Sequence, residues 1–297
     1  MSLIQGALPA LESITISSDI NAPSDQQDSC FDLCPRLRTI CLHGFPPPSM
    51  QLPWQQIETF RFKRNPPSDD PSTNKLLEIL RKLDNVEVYD ICFDRSLRAG
   101  MSLTDEPAAL RFNRLTSLTL STDVRQDYTT AACFLKWLTA PMLLYLEIRT
   151  SYQGWEHLIS FITHSKCKLT ELVIYQAGSL GSKRDNTLVR VLTAVPDLTI
   201  LKLGFADGAA DHHISIFSSP LVPRLETLSI IPLHLKDSPS IYADSVLLDA
   251  LEYRWNVGDS GVQQLQHVYL DRKVVDPLLR GRLDDLRAQG LNVIQNK

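Results

Sequence analysis

Seven histidines and six cysteines are the side chains through which this 297-residue chain could do nucleophilic, redox or metal chemistry. A metal needs three or four His, Cys or carboxylate ligands brought together, and a nucleophile needs a base beside it. His212 and His213 follow Asp211 in the segment DGAADHH, but two adjacent imidazoles and one carboxylate do not complete a coordination sphere. Cys30 and Cys34 have three residues between them, not two, and no second pair follows at zinc-ribbon spacing. Cys34 and Cys167 are expected to pack beside the core. Gly178–Lys183 (GSLGSK) has the letters of a phosphate loop without its spacing and reads as a turn. Asp69–Asp70 and Asp284–Asp285 are adjacent pairs with no facing carboxylate in the pattern. No nucleophile elbow, zinc-protease helix, dinucleotide fingerprint or Walker loop occurs. The sequence therefore predicts no enzyme activity, no cofactor and no metal.

What it does carry is a repeat. An L-x-x-L-x-L arrangement of apolar residues starts at Leu11, Leu37, Ile57, Val86, Leu115, Leu143, Leu169, Leu198, Leu225 and Leu265. Successive spacings are 26, 20, 29, 29, 28, 26, 29, 27 and 40 residues, close to the period of about 20–29 residues of leucine-rich repeats. A final unit is expected at Ala288, Leu291 and Val293. Proline stands two places before the first apolar residue in five units, at Pro9, Pro35, Pro141, Pro196 and Pro223. With 18 prolines in 297 residues, roughly 0.6 would fall there by chance. A proline cannot continue a helix and biases its predecessor to extended geometry, so it marks the return to a strand.

Helix-period segments precede several strands: Asn74–Leu83, Phe134–Thr139, His157–His164, Thr187–Val195, Val246–Tyr253 and Pro277–Gln289. Helix alternating with strand implies parallel strands and crossover connections. The expected fold is α/β: one right-handed leucine-rich-repeat solenoid over residues 1–297, with a parallel concave sheet and outer helices. The 46 leucines then have a place at recurring strand positions and on the outer helices. Polar spacers at Ser17–Ser29, Arg64–Thr73, Arg95–Ala109, Ser121–Thr130 and Gly204–Ser219 read as loops. The 40-residue gap after Leu225 leaves room for an extra strand near Leu247–Trp255.

With positions four and six of each strand in the core, three, five and seven face outward. Tyr145, Glu147 and Arg149 then lie beside Glu171 and Tyr175 on adjacent strands. Tyr and Arg dominate binding energetics at interfaces, which marks this group as a partner-binding site. His43, Arg61 and Lys63 form a second, basic corner. Lys and Arg number 30 against 34 Asp and Glu, a net charge of −4, which argues against nucleic acid as partner. No clean apolar run of about 18 residues occurs, so no membrane span is expected. The N-terminus lacks a basic region ahead of an unbroken apolar run, and cysteine is sparse. A reducing compartment, cytoplasm or nucleus, follows.

The segment CPRLRTICLHGFPPPSMQLPWQQIETFRF (Cys34–Phe62) resembles the leucine-rich-repeat region of fungal F-box proteins, in which a C-P-x-L unit leads through an L-P-W turn to the next strand. SKCKLTELVI (Ser165–Ile174), AVPDLTILKL (Ala194–Leu203), LVPRLETLSI (Leu221–Ile230) and the closing RLDDLRAQGLNV (Arg282–Val293) are similar to later repeats of such chains. The resemblance implies a monomeric, non-enzymatic module that recognises substrates for a cullin ubiquitin ligase. With a first strand near Leu11, the sequence leaves no room for the helical F-box, so a ligase adaptor is expected as partner only if an F-box is supplied elsewhere. The alternative is a free-standing repeat scaffold or regulator with no ligase role.

Overall fold

The computed structural model describes residues 8–17, 31, 34–44, 51–63, 73–93, 110–122, 129–150, 154–176, 186–205, 210–232, 243–256, 261–270, 274 and 276–295. Two compact units divide the chain, Met1–Leu143 and Leu144–Lys297. Both are mixed α/β and built on parallel sheets. Asp69–Asp70, Gly178–Lys183, Asp271 and most of the polar spacers lie outside the described residues.

In the first unit, β1 (Ser13–Ser17), β2 (Thr39–His43), β3 (Thr59–Lys63), β4 (Val88–Phe93) and β6 (Ser117–Thr122) pair in that order, each parallel to the next. Two short strands, β5 (Leu110–Arg111) and β7 (Leu138–Thr139), form a separate parallel pair. In the second unit, β8 (Tyr145–Thr150), β9 (Glu171–Gln176), β10 (Ile200–Phe205), β11 (Thr227–Pro232), β12 (His267–Leu270) and β13 (Asn292–Gln295) follow the same rule.

The predicted core positions are filled as expected. From β2 to β12, positions four and six are buried, as at Ile40 and Leu42, Leu172 and Ile174, and Leu228 and Ile230. The first apolar residue of each unit from Leu37 to Leu265 is buried as well. Burying one such side chain contributes about 1.5–3 kcal/mol, so every repeat adds to the cohesion of its sheet through these apolar positions.

The five prolines have a specific job. Each is the second residue of a turn closed by a backbone hydrogen bond across four residues: Leu11 N–H to Leu8, Leu37 to Cys34, Leu143 to Ala140, Leu198 to Val195 and Leu225 to Val222, at 3.1–3.2 Å. The fixed φ of proline suits that position of a turn and needs no N–H there. Directly after the turn, one carbonyl per repeat accepts two N–H groups from the next strand at 2.8–3.1 Å. Glu12, Arg38, Glu58, Glu87, Leu144, Thr170, Thr199 and Glu226 all serve this way. Three threonines add a side-chain rung: Thr116, Thr170 and Thr199 each donate a hydroxyl to the carbonyl one repeat earlier, at 3.0–3.2 Å.

Helices α1 (Thr73–Leu80), α2 (Thr129–Phe134), α3 (Trp155–Ser165), α4 (Thr187–Thr193), α5 (Ala210–Ser215), α6 (Asp244–Trp255) and α7 (Pro277–Ala288) fill the returns. Residues Trp155, Leu158, Phe161, Ile162 and Ser165 give α3 one buried face at helical spacing. Pro277 opens α7, and the Asp276 side chain caps it by accepting from Leu278 N–H at 2.8 Å. Leu247–Trp255, where the 40-residue gap leaves room for an extra strand, is helix.

Three further expectations need correction. The helix read at Phe134–Thr139 ends at Phe134, passes through a 3-10 turn at Leu135–Trp137 and becomes β7. Leu138–Thr139 instead pair with β5, and Pro141 cannot continue a helix beyond them. The spacer Gly204–Ser219 contains α5 and a 3-10 turn at Ile216–Ser218, with Ile214 and Phe217 buried. One buried anchor in a six-residue helix and one in the three-residue turn after it are too short a pattern for a helical period to show. The last unit is displaced by two residues: Val293 pairs with Val268, the fourth position, rather than with Leu270. A slip of two keeps every side chain on its face, so the apolar pattern cannot distinguish the registers.

The core of the first unit has an aromatic spine. Phe60 meets Tyr89 edge-on at 5.7 Å, and Tyr89 meets Phe112 at 5.0 Å. Burial pushes the Tyr89 phenol well above its ordinary range, and among the described residues its hydroxyl has no hydrogen-bond partner. An unsatisfied buried hydroxyl costs about 1–3 kcal/mol. Tyr89→Phe is therefore expected to raise stability by about 1 kcal/mol, read as a higher denaturant midpoint at unchanged slope. A lower midpoint would mean that the hydroxyl is satisfied.

Candidate protein-binding face

On the side of each sheet away from the buried leucines, strand register fixes which side chains are neighbours. In the second unit, one row across the strands runs Tyr145, Glu171, Ile200, Thr227, His267 and Asn292. The next runs Glu147, Val173, Lys202, Ser229, Tyr269 and Ile294, and a third runs Arg149, Tyr175, Gly204 and Ile231. The five residues read as a binding group thus come together on β8 and β9.

They are already organised. Tyr145 donates its hydroxyl to Glu147 Oε2 at 2.6 Å. The Arg149 guanidinium carbon lies 5.3 Å from the Tyr175 ring centroid, within cation–π range. Lys202 Nζ donates to Glu171 Oε1 at 2.7 Å. Burial, helped by the Glu147 hydrogen bond and charge, pushes the Tyr145 phenol above its usual range; burial and Glu147 do the same to Tyr175. Both rings are therefore neutral donors near neutral pH. The partly exposed Lys202–Glu171 pair adds little to stability. Its effect is to orient the side chains, so that a docking surface meets rings whose charged neighbours are largely matched.

The sequence reading missed the neighbouring depression. Tyr175, Lys202, Ser229, Tyr269 and Ile294 are among the residues lining a hollow of about 550 Å³ on the same face. Tyr269 and Ile294 are exposed, at 41% and 42%. Lys202, Ser229 and Tyr269 occupy outward positions in the repeat, but only the register across β12 and β13 brings them beside Ile294. Val173 and Ser229 also face outward yet are buried, at 1% and 5% exposure. Each lies in a row between longer side chains, Val173 between Glu147 and Lys202, and Ser229 between Lys202 and Tyr269. Period-two alternation assigns a face; the height of the neighbours decides burial.

The basic corner lies on the outward face of the first unit. His43 on β2 is in register with Lys63 on β3, and Arg61 with Cys41 on one side and Asp90 on the other. Arg61 and Lys63 are exposed and His43 is half-buried. The two remaining histidines of interest serve packing: His213 is buried with its ring stacked on Phe205 at 5.7 Å, and His212 lies 5.6 Å from it. Asp211 accepts the Ala243 backbone N–H at 2.5 Å. Among the described residues no three His, Cys, Asp or Glu side chains are grouped to hold a metal ion. Cys34 and Cys167 are buried, and burial pushes the Cys167 thiol up to about 11. Asp284 pairs with Arg287 at 2.9 Å on α7. Among the described residues no helix is long and apolar enough to cross a membrane.

Set against protein-family models and against curated proteins, the chain matches none of either.

Proposed function

We propose that the chain is a leucine-rich-repeat solenoid that binds another protein through the outward face of its sheet, anchored by Tyr145, Arg149 and Tyr175. Its work is recognition, not catalysis, in the cytoplasm or nucleus, and its partner is a protein selected for ubiquitination, as in the F-box proteins whose repeats it resembles. The observation that carries this reading is the pre-arranged group on β8 and β9: two half-buried tyrosines, one under an arginine, with their carboxylate neighbours engaged. Rigid aromatic anchors lose little freedom on docking, and Tyr and Arg are over-represented at binding hot spots.

The test is capture of a partner by proximity labelling in cells, followed by binding with purified proteins. Tyr145→Ala and Arg149→Ala are each expected to weaken that partner at least about tenfold, the loss of a hot-spot side chain. Unchanged binding by both folded variants would move the site off β8 and β9. Recovery of ligase adaptor with the chain supports the ubiquitination reading; a stable partner bound without adaptor favours the free-standing scaffold.

A further inference from the structure

A second chemistry is built into the basic corner. Cys41 and His43 stand two residues apart on β2, on the same face. Cys41 Sγ and His43 Nε2 are 3.6 Å apart, within hydrogen-bond range for sulfur. The residue directly across from Cys41 on β3 is Arg61, and the one across from His43 is Lys63. Asp90 on β4 follows Arg61 in the same row and Cys92 follows Lys63, so among the described residues of these two rows two cations stand beside one carboxylate. Cys41 is half-buried. A thiol beside a base, at a partly exposed and electropositive place, is the arrangement in which cysteines react.

We propose that Cys41 is a nucleophilic thiol that takes small anionic disulfides of the glutathione type into a mixed disulfide, with His43 as its base and Arg61 drawing in the anion. In the tautomer with its proton on Nδ1, the imidazole accepts the Sγ proton at Nε2. The thiolate attacks one sulfur of the incoming disulfide, a new S–S bond forms and the old one breaks. The departing thiolate takes the proton back from His43 and leaves as a thiol. Cys41 ends oxidised to the disulfide level, and the released half of the reagent is the reduced product.

The other cysteines supply internal controls. Cys92 and Cys133 are half-buried like Cys41, while Cys34 and Cys167 are buried. The purified full-length chain is treated with glutathione disulfide at neutral pH, and each cysteine peptide is followed by mass spectrometry. Cys41 is expected to react about tenfold faster than Cys92 or Cys133, a modest share of what a positioned base can give. His43→Gln should abolish that advantage. Arg61→Gln should slow the anionic disulfide more than it slows uncharged iodoacetamide, with circular dichroism confirming that both variants fold. Equal rates at Cys41, Cys92 and Cys133 in the unaltered chain would overturn the proposal, as would a Cys41 rate unmoved by His43→Gln. An Arg61→Gln chain slowed equally toward both reagents would overturn the anion preference.

Discussion

Arg254→Met is expected to destabilise the fold by about 3 kcal/mol, the cost of stranding buried acceptors and losing charge-assisted hydrogen bonds. Arg254 sits on α6 with 0% of its surface exposed. Among the described residues its partners are three backbone carbonyls and no carboxylate. Nε donates to Phe217 at 3.3 Å, Nη1 to Val222 at 3.2 Å, and Nη2 to Leu221. Those carbonyls come from the 3-10 turn after α5 and from the segment that leads into the Val222–Leu225 turn. Val222 has φ +48°, a left-handed conformation that a β-branched residue adopts only under constraint, at about 1–3 kcal/mol. The guanidinium supplies that constraint by holding the carbonyls of Leu221 and Val222 together.

Methionine fills similar volume but donates nothing, so chemical denaturation should show a lower midpoint at unchanged slope. Arg254→Lys should recover only part of the loss, because an ammonium cannot present a planar fork to three acceptors. A methionine variant within about 0.5 kcal/mol of the parent would mean that these carbonyls need no protein donor.

Arg254 also shows where the sequence stops speaking. The helix-period segment Val246–Tyr253 stops one residue short of it, inside a helix that runs Asp244–Trp255. Nothing in the chain order of EYRW marks the carbonyls thirty-odd residues earlier that make its burial tolerable. By contrast, the apolar positions one, four and six declared themselves through period and recurrence, and the prolines through a fixed offset. These are local properties, dictated by backbone geometry within one repeat. The candidate face was half legible: alternation placed Tyr145, Glu147, Arg149, Glu171 and Tyr175 outward, but pairings such as Tyr145 with Glu147 and Lys202 with Glu171 depend on rotamers and register. Ile294 and the hollow it lines depend on how β13 pairs with β12, which a two-residue slip leaves invisible to hydropathy.

Phe60→Ala carries the other large expected effect, a loss of about 3–5 kcal/mol from removing a buried phenylalanine. Phe60 is 0% exposed and central to the spine. Its ring stands edge-on to Trp54 at 6.4 Å and to Tyr89 at 5.7 Å, and parallel to Phe62 at 6.5 Å. Rings held by three aromatic neighbours cannot all collapse into the space left, so most of the cavity term should remain. Coupling between Phe60→Ala and Tyr89→Ala in a double-mutant cycle is expected at about 0.5–1.5 kcal/mol, the scale of an aromatic pair. Where the loss is felt tests the solenoid reading itself. If each repeat gains stability from its neighbours alone, hydrogen-exchange protection should fall across β2 to β4 and hold from β9 to β12. Equal loss of protection in both sets of strands would show one globally cooperative domain and count against a repeat array. The two outcomes differ because carbonyls such as Arg38 and Glu58 connect only successive strands, whereas a single shared core would spread the damage to all of them.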